Sequence, residues 1–477
     1  MERSFRQNRA AFRCSSRIGR LVYHHDCIRR WRDGGGRRQR QWNSLSSTFL
    51  ISLLVCILLF PGCASQKTDF STLYDRCSQD FEHGDLDVAA REAEEGLHHS
   101  DKNDRVWNYK FRILLANIYS WKGGKANDAE ALLKAVPPPE LSTGEFAARR
   151  KAIQGTLLTR QKRFEDAHAS LREAEILASS TAPTVQSEIF LNEGTLATYE
   201  GNFVAAEHYL LAALNAARAH HQRFLEIQIT GNLGWMEGQQ EHYGAAINWL
   251  RKSLEVTESI GASQVEAATL LNLAWLNSEI GDFEAALPAL NKAQNLTQNS
   301  GIKEMIQNNI GEIYRSQEKY AQASDAFSKA REFATSNRAN TDELITSLSG
   351  LAWVALAQGQ ISATKLLETE AQKLVSHSTN LNPRVATDLQ LLHADILRAS
   401  GHPDQSKEVL FALLKKKLLP SDRWQADSEL ATVYVDTHQN AFAEKQFEKV
   451  LRTLDSARAS LTDVAQRLAF SSRESLF

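Results

Sequence analysis

Thiols are almost absent from this chain, and the few present are crowded at one end. All five cysteines lie at positions 14, 27, 56, 63 and 77 of 477 residues. They form no CxxC pair and suggest no disulfide framework. The long body without thiols suits an oxidising compartment, although base composition alone could produce the same absence.

Motifs that carry catalysis are missing from the sequence as well. There is no HExxH, no Walker loop, no GxSxG and no complete EF-hand loop. The histidine pairs are adjacent residues, which point about 100° apart on a helix and cannot chelate a metal on one face. The sequence therefore predicts a protein that is not an enzyme, with no metal site and no cofactor.

Negative charge dominates everything except the front of the chain. Residues 1–63 contain twelve arginines, no lysine and three acidic residues, a net charge of +9, whereas the whole chain carries −2. The remaining residues therefore carry −11. An acidic body of this kind argues against nucleic acid as the principal partner.

What the sequence does contain is a repeated pair of short amphipathic segments. In residues 271–293 the small residue Ala274 is followed at offsets of twelve, sixteen and nineteen by Ala286, Leu290 and Ala293. Similar offsets start from ten positions that lie 37 to 42 residues apart: 77, 116, 155, 194, 234, 274, 311, 352, 394 and 431. The copies near 77, 116 and 352 are weaker than the others. A period of this length is typical of a solenoid, in which each unit is completed by its neighbours.

The offsets have a physical reason in helix packing. Two antiparallel helices approach closely where a Gly or Ala on the first meets a Leu or Phe on the second. The turn between them is predicted at Gly-Asn-Phe 201–203, Gly-Asp-Phe 281–283 and Glu-Lys-Tyr 318–320, where the chain bends and an aromatic fills the corner. Most prolines fall between units or open a helix, and only Pro288 falls inside a predicted helix, near its first turn.

This pattern resembles the tetratricopeptide repeat, in the longer form found in kinesin-light-chain-like and bacterial scaffold proteins. The resemblance implies an all-α fold: a right-handed superhelix of about ten helical hairpins over residues 71–455. It also implies a concave groove that binds a protein or an extended peptide.

Two sets of side chains are predicted to face that groove. Asparagines stand two residues before the small anchor in four successive units: Asn192, Asn232, Asn272 and Asn309. Tryptophans stand one residue after it: Trp235, Trp275 and Trp353. Asparagine can pair with the backbone of an extended peptide, and tryptophan offers apolar contact at low entropic cost. Alternatively, the asparagines bond to a neighbouring helix and the tryptophans fill gaps between first helices.

The front of the chain predicts an export signal with a lipid anchor. An apolar stretch within residues 46–63 is too short to span a bilayer and ends in Phe-Pro-Gly-Cys63. This ending resembles the bacterial lipobox, whose cysteine is acylated, although Pro61 is unusual there. The resemblance implies a protein anchored in the cell envelope and facing the periplasm, with residues 64–70 as a short linker. Ala64 and Ser65 lack an Asp retention signal, which favours the outer membrane; a single-pass signal anchor in the inner membrane is the alternative.

The basic leader, residues 1–45, leaves several interpretations open. It could be a long n-region, a nucleic-acid arm or a twin-arginine signal without the usual residues after the arginine pair, or it is not translated at all.

Residues 456–477 are similar to the linker helix of bacterial CHAT proteins, in which tetratricopeptide repeats precede a caspase-like peptidase. The similarity rests on Arg458-Ala-Ser-Leu461, Arg467-Leu-Ala-Phe470 and Arg473-Glu-Ser-Leu-Phe477. No cysteine follows Cys77, so the peptidase activity cannot be carried over. Two main hypotheses remain: a membrane-tethered binding scaffold, or the regulatory half of a CHAT-type protease whose peptidase is a separate chain. A degenerate remnant without function is a third.

Overall fold

The structure is a computed structural model that describes residues 69–100, 104–122, 125–178, 182–337, 341–378, 381–461 and 463–474. The basic leader, the apolar stretch and Cys63 lie outside the described residues. Within those ranges the chain forms twenty-one α-helices, one short 3₁₀ turn at Pro139–Leu141 and no β-strand. The predicted all-α fold is confirmed.

The first twenty helices form ten consecutive hairpins, each made of a first helix and a second helix. The ten pairs are α1 Phe70–Glu82 with α2 Leu86–Ser100, α3 Arg105–Trp121 with α4 Ala126–Leu133, α5 Glu145–Arg160 with α6 Phe164–Ala178, α7 Pro183–Tyr199 with α8 Phe203–Ala219, α9 Arg223–Gln239 with α10 Tyr243–Ile260, α11 Ser263–Glu279 with α12 Phe283–Leu296, α13 Ser300–Ser316 with α14 Tyr320–Asn337, α15 Thr341–Ala357 with α16 Ile361–His377, α17 Pro383–Ala399 with α18 Pro403–Leu414, and α19 Pro420–Asp436 with α20 Asn440–Ala459. A last helix, α21, covers Val464–Glu474. The weak copies near 77, 116 and 352 are hairpins like the others.

Each hairpin is held together at the small residue of its first helix. A Cβ placed on Gly194 would lie 2.6 Å from Cγ of Leu210, the residue sixteen positions later. Gly311 meets the ring of Phe327 in the same way, and the anchor alanines such as Ala274 are fully buried. The predicted contact between the two helices of a unit is therefore present, and it depends on the missing side-chain volume.

A single left-handed residue turns the chain within nine of the ten hairpins. Glycine takes this position at Gly201 and Gly281, with φ of 73° and 79°, because it has no Cβ to clash. The side chains of Asn202 and Asp282 then cap the second helices by accepting hydrogen bonds from backbone N–H groups. In four hairpins a residue with a side chain holds the left-handed conformation: Lys162, Glu241, Glu318 and His438.

Four prolines mark the starts of α-helices, and one lies inside an α-helix. Pro183, Pro383, Pro403 and Pro420 are each the first residue of a helix, where the missing N–H costs nothing. Pro288 lies inside α12, in its second turn rather than near the first as the sequence suggested. It is exposed, so the carbonyl that loses its partner can be hydrated.

Hairpins far apart in the sequence also contact each other. The ring of Phe81, at the end of α1, lies 5.1 Å from the ring of Phe224 on α9. At the turn of the fifth hairpin, the carbonyl oxygen of Glu241 accepts a hydrogen bond of 3.2 Å from Oγ of Ser460, which follows α20. The ring of Phe470 on α21 lies 6.4 Å from that of Tyr243. The first and last hairpins thus both pack against the middle of the row.

Candidate functional site

The first helices of successive hairpins pack side by side and form the wall of a groove. Between α3 and α11 this groove contains a cavity of about 300 Å³. Its lining is mostly neutral polar and aromatic: Trp121, Thr156, Thr159, Arg160, Asn192, Thr195, Tyr199, Ile227, Gln228, Gly231, Asn232, Trp235, Leu250, Ser253, Val265, Ala268, Thr269 and Asn272. Such a lining offers both hydrogen-bond donors and acceptors next to aromatic faces.

The cavity brings three of the four predicted asparagines together. Asn192 is buried, and its Nδ2 donates to the carbonyl oxygen of Ala152 on the preceding first helix, at 3.4 Å. Asn232 donates to the carbonyl oxygen of Gln228 at 2.8 Å and accepts from Oγ1 of Thr195 at 3.2 Å. These two asparagines therefore tie neighbouring helices together while also lining the cavity.

The other two asparagines differ in their surroundings. Asn272 is exposed in the cavity and forms no side-chain hydrogen bond to any described residue, so its amide is available to a ligand. Asn309 is half-buried, donates to the carbonyl oxygen of Met305 on its own helix at 2.8 Å, and lies outside the cavity lining.

Of the three predicted tryptophans, Trp235 lines the cavity, where its ring lies 5.0 Å from the ring of Tyr199. Trp275 and Trp353 lie outside the cavity lining, between first helices. Each donates its indole N–H to a carboxylate, at 3.1 Å for Glu279 and 3.2 Å for Asp388. Their surroundings match the packing role that the sequence left open as the alternative.

Several lining residues were missed, although the repeat register could have found them. Thr156 and Thr195 stand one residue after the anchor, as Trp235 does. One helical turn further on, five residues after the anchor, stand the aromatic or basic residues Trp121, Arg160 and Tyr199. Residues four apart share a helix face. The positions one and five residues after the anchor therefore lie on the same face, and together they give these lining residues.

Arg160 is the one charged side chain among the residues that line the cavity. Its Nη1 donates to the carbonyl oxygen of Ser120, and its guanidinium lies 5.9 Å from the ring centroid of Trp121. Although its side chain is exposed inside the cavity, the surrounding walls reduce its hydration and lower the pKa of Arg160. An arginine remains charged in such a place, so the cavity carries a fixed positive charge.

A second polar cluster lies where the fifth and sixth hairpins meet the ninth and tenth. Nη2 of Arg384 on α17 pairs with Oε1 of Glu279 on α11 at 2.7 Å. Burial, reinforced by the nearby Glu279, raises the pKa of Glu241 to about 7, and Oε1 of Glu241 is buried without a hydrogen-bond partner among the described residues. Burial also raises the pKa of Asp388 and of Asp422 to about 6, even though Arg384 opposes both shifts. The pKa values of three carboxyl groups in this cluster are thus raised although arginines lie nearby.

The described residues hold no group of three or more acidic, histidine or cysteine side chains placed to bind a metal ion. Among the described helices, none is both long and apolar enough to cross a bilayer.

Family models of the tetratricopeptide repeat match residues 267–300 and 303–371. Within these residues the chain contains tetratricopeptide repeats. These matches cover α11 and α12 almost completely and most of the next two hairpins. A search of curated protein sequences found no match.

Solved structures show the same fold over most of the chain. A Rap protein complexed with competence and sporulation factor is 12% identical, with a TM-score of 0.57, and the match covers 78% of this chain and 99% of that one. The apo quorum sensor NprR from B. thuringiensis is 15% identical, with a TM-score of 0.53 and the same two coverages. NprR in complex with its cognate peptide NprX is 16% identical, with a TM-score of 0.51, covering 77% and 99%. At these identities the likeness is one of fold, a tetratricopeptide-like helical solenoid.

Proposed function

We propose that this chain is a scaffold that binds an extended peptide, or an extended segment of a partner protein, in the cavity between α3 and α11. The observation that carries the proposal is the lining itself, where Asn272 has a free amide beside the exposed faces of Trp235 and Tyr199. An amide can pair with peptide backbone of any sequence, and the rings supply apolar contact. Two of the similar folds were crystallised with a bound peptide or factor, which supports the same use of this surface.

The test compares a double variant of the cavity lining with a double variant of residues that lie between first helices outside it. Trp235→Ala with Asn272→Ala should weaken capture of a randomised peptide pool by about tenfold or more. The matched control is Trp275→Ala with Asn309→Ala, which removes the same side chains outside the cavity lining and should leave capture unchanged. Equal capture by both double variants, with melting temperatures near the parent, would contradict the proposed site.

We also propose that the scaffold is tethered to a bacterial membrane through Cys63, facing the periplasm and with the outer membrane favoured. The support is the apolar stretch ahead of Phe-Pro-Gly-Cys63. Acylation with more than one chain would hold the scaffold stably at a membrane surface without a spanning helix.

A second candidate function rests on the resemblance of residues 456–477 to the CHAT linker. In this case the chain recruits substrates for a caspase-like peptidase encoded separately. Phe470 in this segment packs on Tyr243, so the segment docks on the fifth hairpin. Co-expression with any neighbouring gene that encodes a His/Cys peptidase should yield a co-purifying complex, and a lack of association would remove this candidate.

A further inference from the structure

The groove is closed at one end by the first hairpin. Phe81 of α1 packs on Phe224, and the ring of Trp121 lies edge-on to Phe224 with centroids 6.3 Å apart. A Cβ at Gly84, in the turn after α1, would lie 2.8 Å from Cβ of Ala262. The first hairpin therefore crosses from the α3 side of the groove to the α9 and α11 side. Only a small space of about 30 Å³ remains between these elements.

Trp121 belongs both to this closing wall and to the lining of the larger cavity. Arg160 lies against Trp121, so the one charged side chain of the cavity stands at its closed end. Trp235 and Asn272 line the cavity on the side of α9 and α11. A chain lying along the cavity from Asn272 towards Trp121 would meet this wall near Arg160.

Arg160 also differs from the other arginines that lie over tryptophans of first helices. Arg315 lies over Trp353 at 5.8 Å and pairs with Glu312, and Arg384 lies over Trp275 at 5.4 Å and pairs with Glu279. Arg160 has the tryptophan but no carboxylate partner among the described residues. A guanidinium has five N–H donors, and one carbonyl oxygen, that of Ser120, does not satisfy them.

We infer that the closed end of the cavity receives the C-terminal carboxylate of the bound peptide, and that Arg160 recognises it. This inference rests on the proposed function, since it specifies which part of a peptide the cavity holds. The carboxylate would pair with Arg160 as Glu312 pairs with Arg315 and Glu279 pairs with Arg384. The closed wall favours a chain end over the acidic side chain of a segment that continues past it.

The test uses the full chain, solubilised in detergent and immobilised, with two synthetic pools of N-acetylated peptides. The peptides are randomised over about ten residues, about 35 Å when extended, and the pools differ only in ending as a free carboxylate or an amide. The parent protein should retain the carboxylate pool about tenfold better than the amide pool, the effect expected of a hydrogen-bonded charge. Arg160→Gln should abolish this preference, and Arg160→Lys should retain part of it.

The matched control is Arg163→Gln, three residues away, whose guanidinium pairs with Asp166 outside the cavity lining. This variant should keep the parent's preference for the carboxylate pool. The melting temperatures of all three variants should stay within about 2 °C of that of the parent protein. Single peptides from the enriched set, made in both forms, should show the same difference in Kd by fluorescence anisotropy.

Three outcomes would overturn the inference. Equal retention of the two pools by the parent protein shows that the terminus is not recognised, while the proposed peptide binding survives. Enrichment of peptides with an internal Asp or Glu, whether they end in a carboxylate or an amide, would show that Arg160 binds an acidic side chain instead. Retention of neither pool above the level of the Trp235→Ala, Asn272→Ala double variant would remove the proposed function together with this inference.

Discussion

Gly234 on α9 lies directly against Leu250 on α10, and a Cβ added to Gly234 would stand 2.8 Å from Cγ of that leucine. Another glycine of the same helix, Gly231, faces the cavity, and a Cβ added there would have no neighbouring atom within 4 Å. The two glycines are three residues apart, yet one closes a hairpin and the other leaves room for a ligand.

This difference predicts opposite effects of the same substitution. Gly234→Ala should lower the free energy of unfolding by about 1–3 kcal/mol, because Leu250 must move to accept the methyl group. Gly231→Ala should raise it by up to about 1 kcal/mol, because alanine is the better helix former and meets no neighbour. Urea unfolding followed by circular dichroism measures both, and equal effects of the two substitutions would show that the close contact is absent.

The left-handed turn residues predict a second pair of opposite effects. His438→Gly should stabilise the fold by about 1 kcal/mol, because glycine adopts the φ of 58° without strain and the exposed imidazole is not needed there. Gly401→Ala, at φ of 82° in open surroundings, should cost a similar amount. Thermal unfolding of both variants measures these effects. Melting temperatures that shift in the same direction for the two variants would contradict the prediction.

The raised pKa of Glu241 predicts that stability falls as the pH rises. Folding raises this pKa from 4.5 to about 7, so between those values the folded state binds more protons than the unfolded state. The cost of ionising Glu241 is thus small near pH 5 and fully present above pH 7. Glu241→Gln should therefore stabilise the protein at pH 8 by about 1–3 kcal/mol and change little at pH 5.

Urea unfolding at the two pH values measures this effect. The control is Glu255→Gln, an exposed glutamate on the adjacent helix α10, which should not alter the pH dependence. A Glu241→Gln variant that follows the parent curve at both pH values would show that the carboxylate is hydrated rather than buried.

Cys63 lies outside the described residues and carries a prediction drawn from the sequence alone. Cys63→Ser should move the protein from the membrane fraction to the soluble fraction of cells and abolish its labelling by radioactive palmitate. Cys56→Ser, within the apolar stretch, is the control and should leave both unchanged. Persistent membrane association of the Cys63 variant would indicate that the apolar stretch itself is the anchor.

The hairpins could be predicted from the sequence because each depends on local offsets. The sixteen-residue spacing from Gly194 to Leu210 fixes one helix against the next, and every predicted anchor lies on a first helix. The asparagine offset also led to the cavity, through Asn192, Asn232 and Asn272. These features repeat with the period of the chain, so a single sequence displays them many times.

The contacts across the groove could not be predicted in this way. Phe81 meets Phe224 only because the superhelix brings the first hairpin back to the fifth, and no offset in the repeat encodes that approach. The role of Arg160 follows from the same approach, since without the wall at Trp121 it would be an ordinary exposed arginine. The acidic cluster around Arg384 likewise joins residues more than a hundred positions apart.

The packing of the first and last hairpins on the fifth changes how this row of repeats should come apart. In an open array each terminal unit touches one neighbour and frays independently, so unfolding spreads inwards in small steps. Here loss of α1 also uncovers Phe224, and loss of α20 also uncovers the turn at Glu241. The ends and the centre should consequently melt as one cooperative unit, and shortening the array from either side should weaken amide-exchange protection in the middle of the chain.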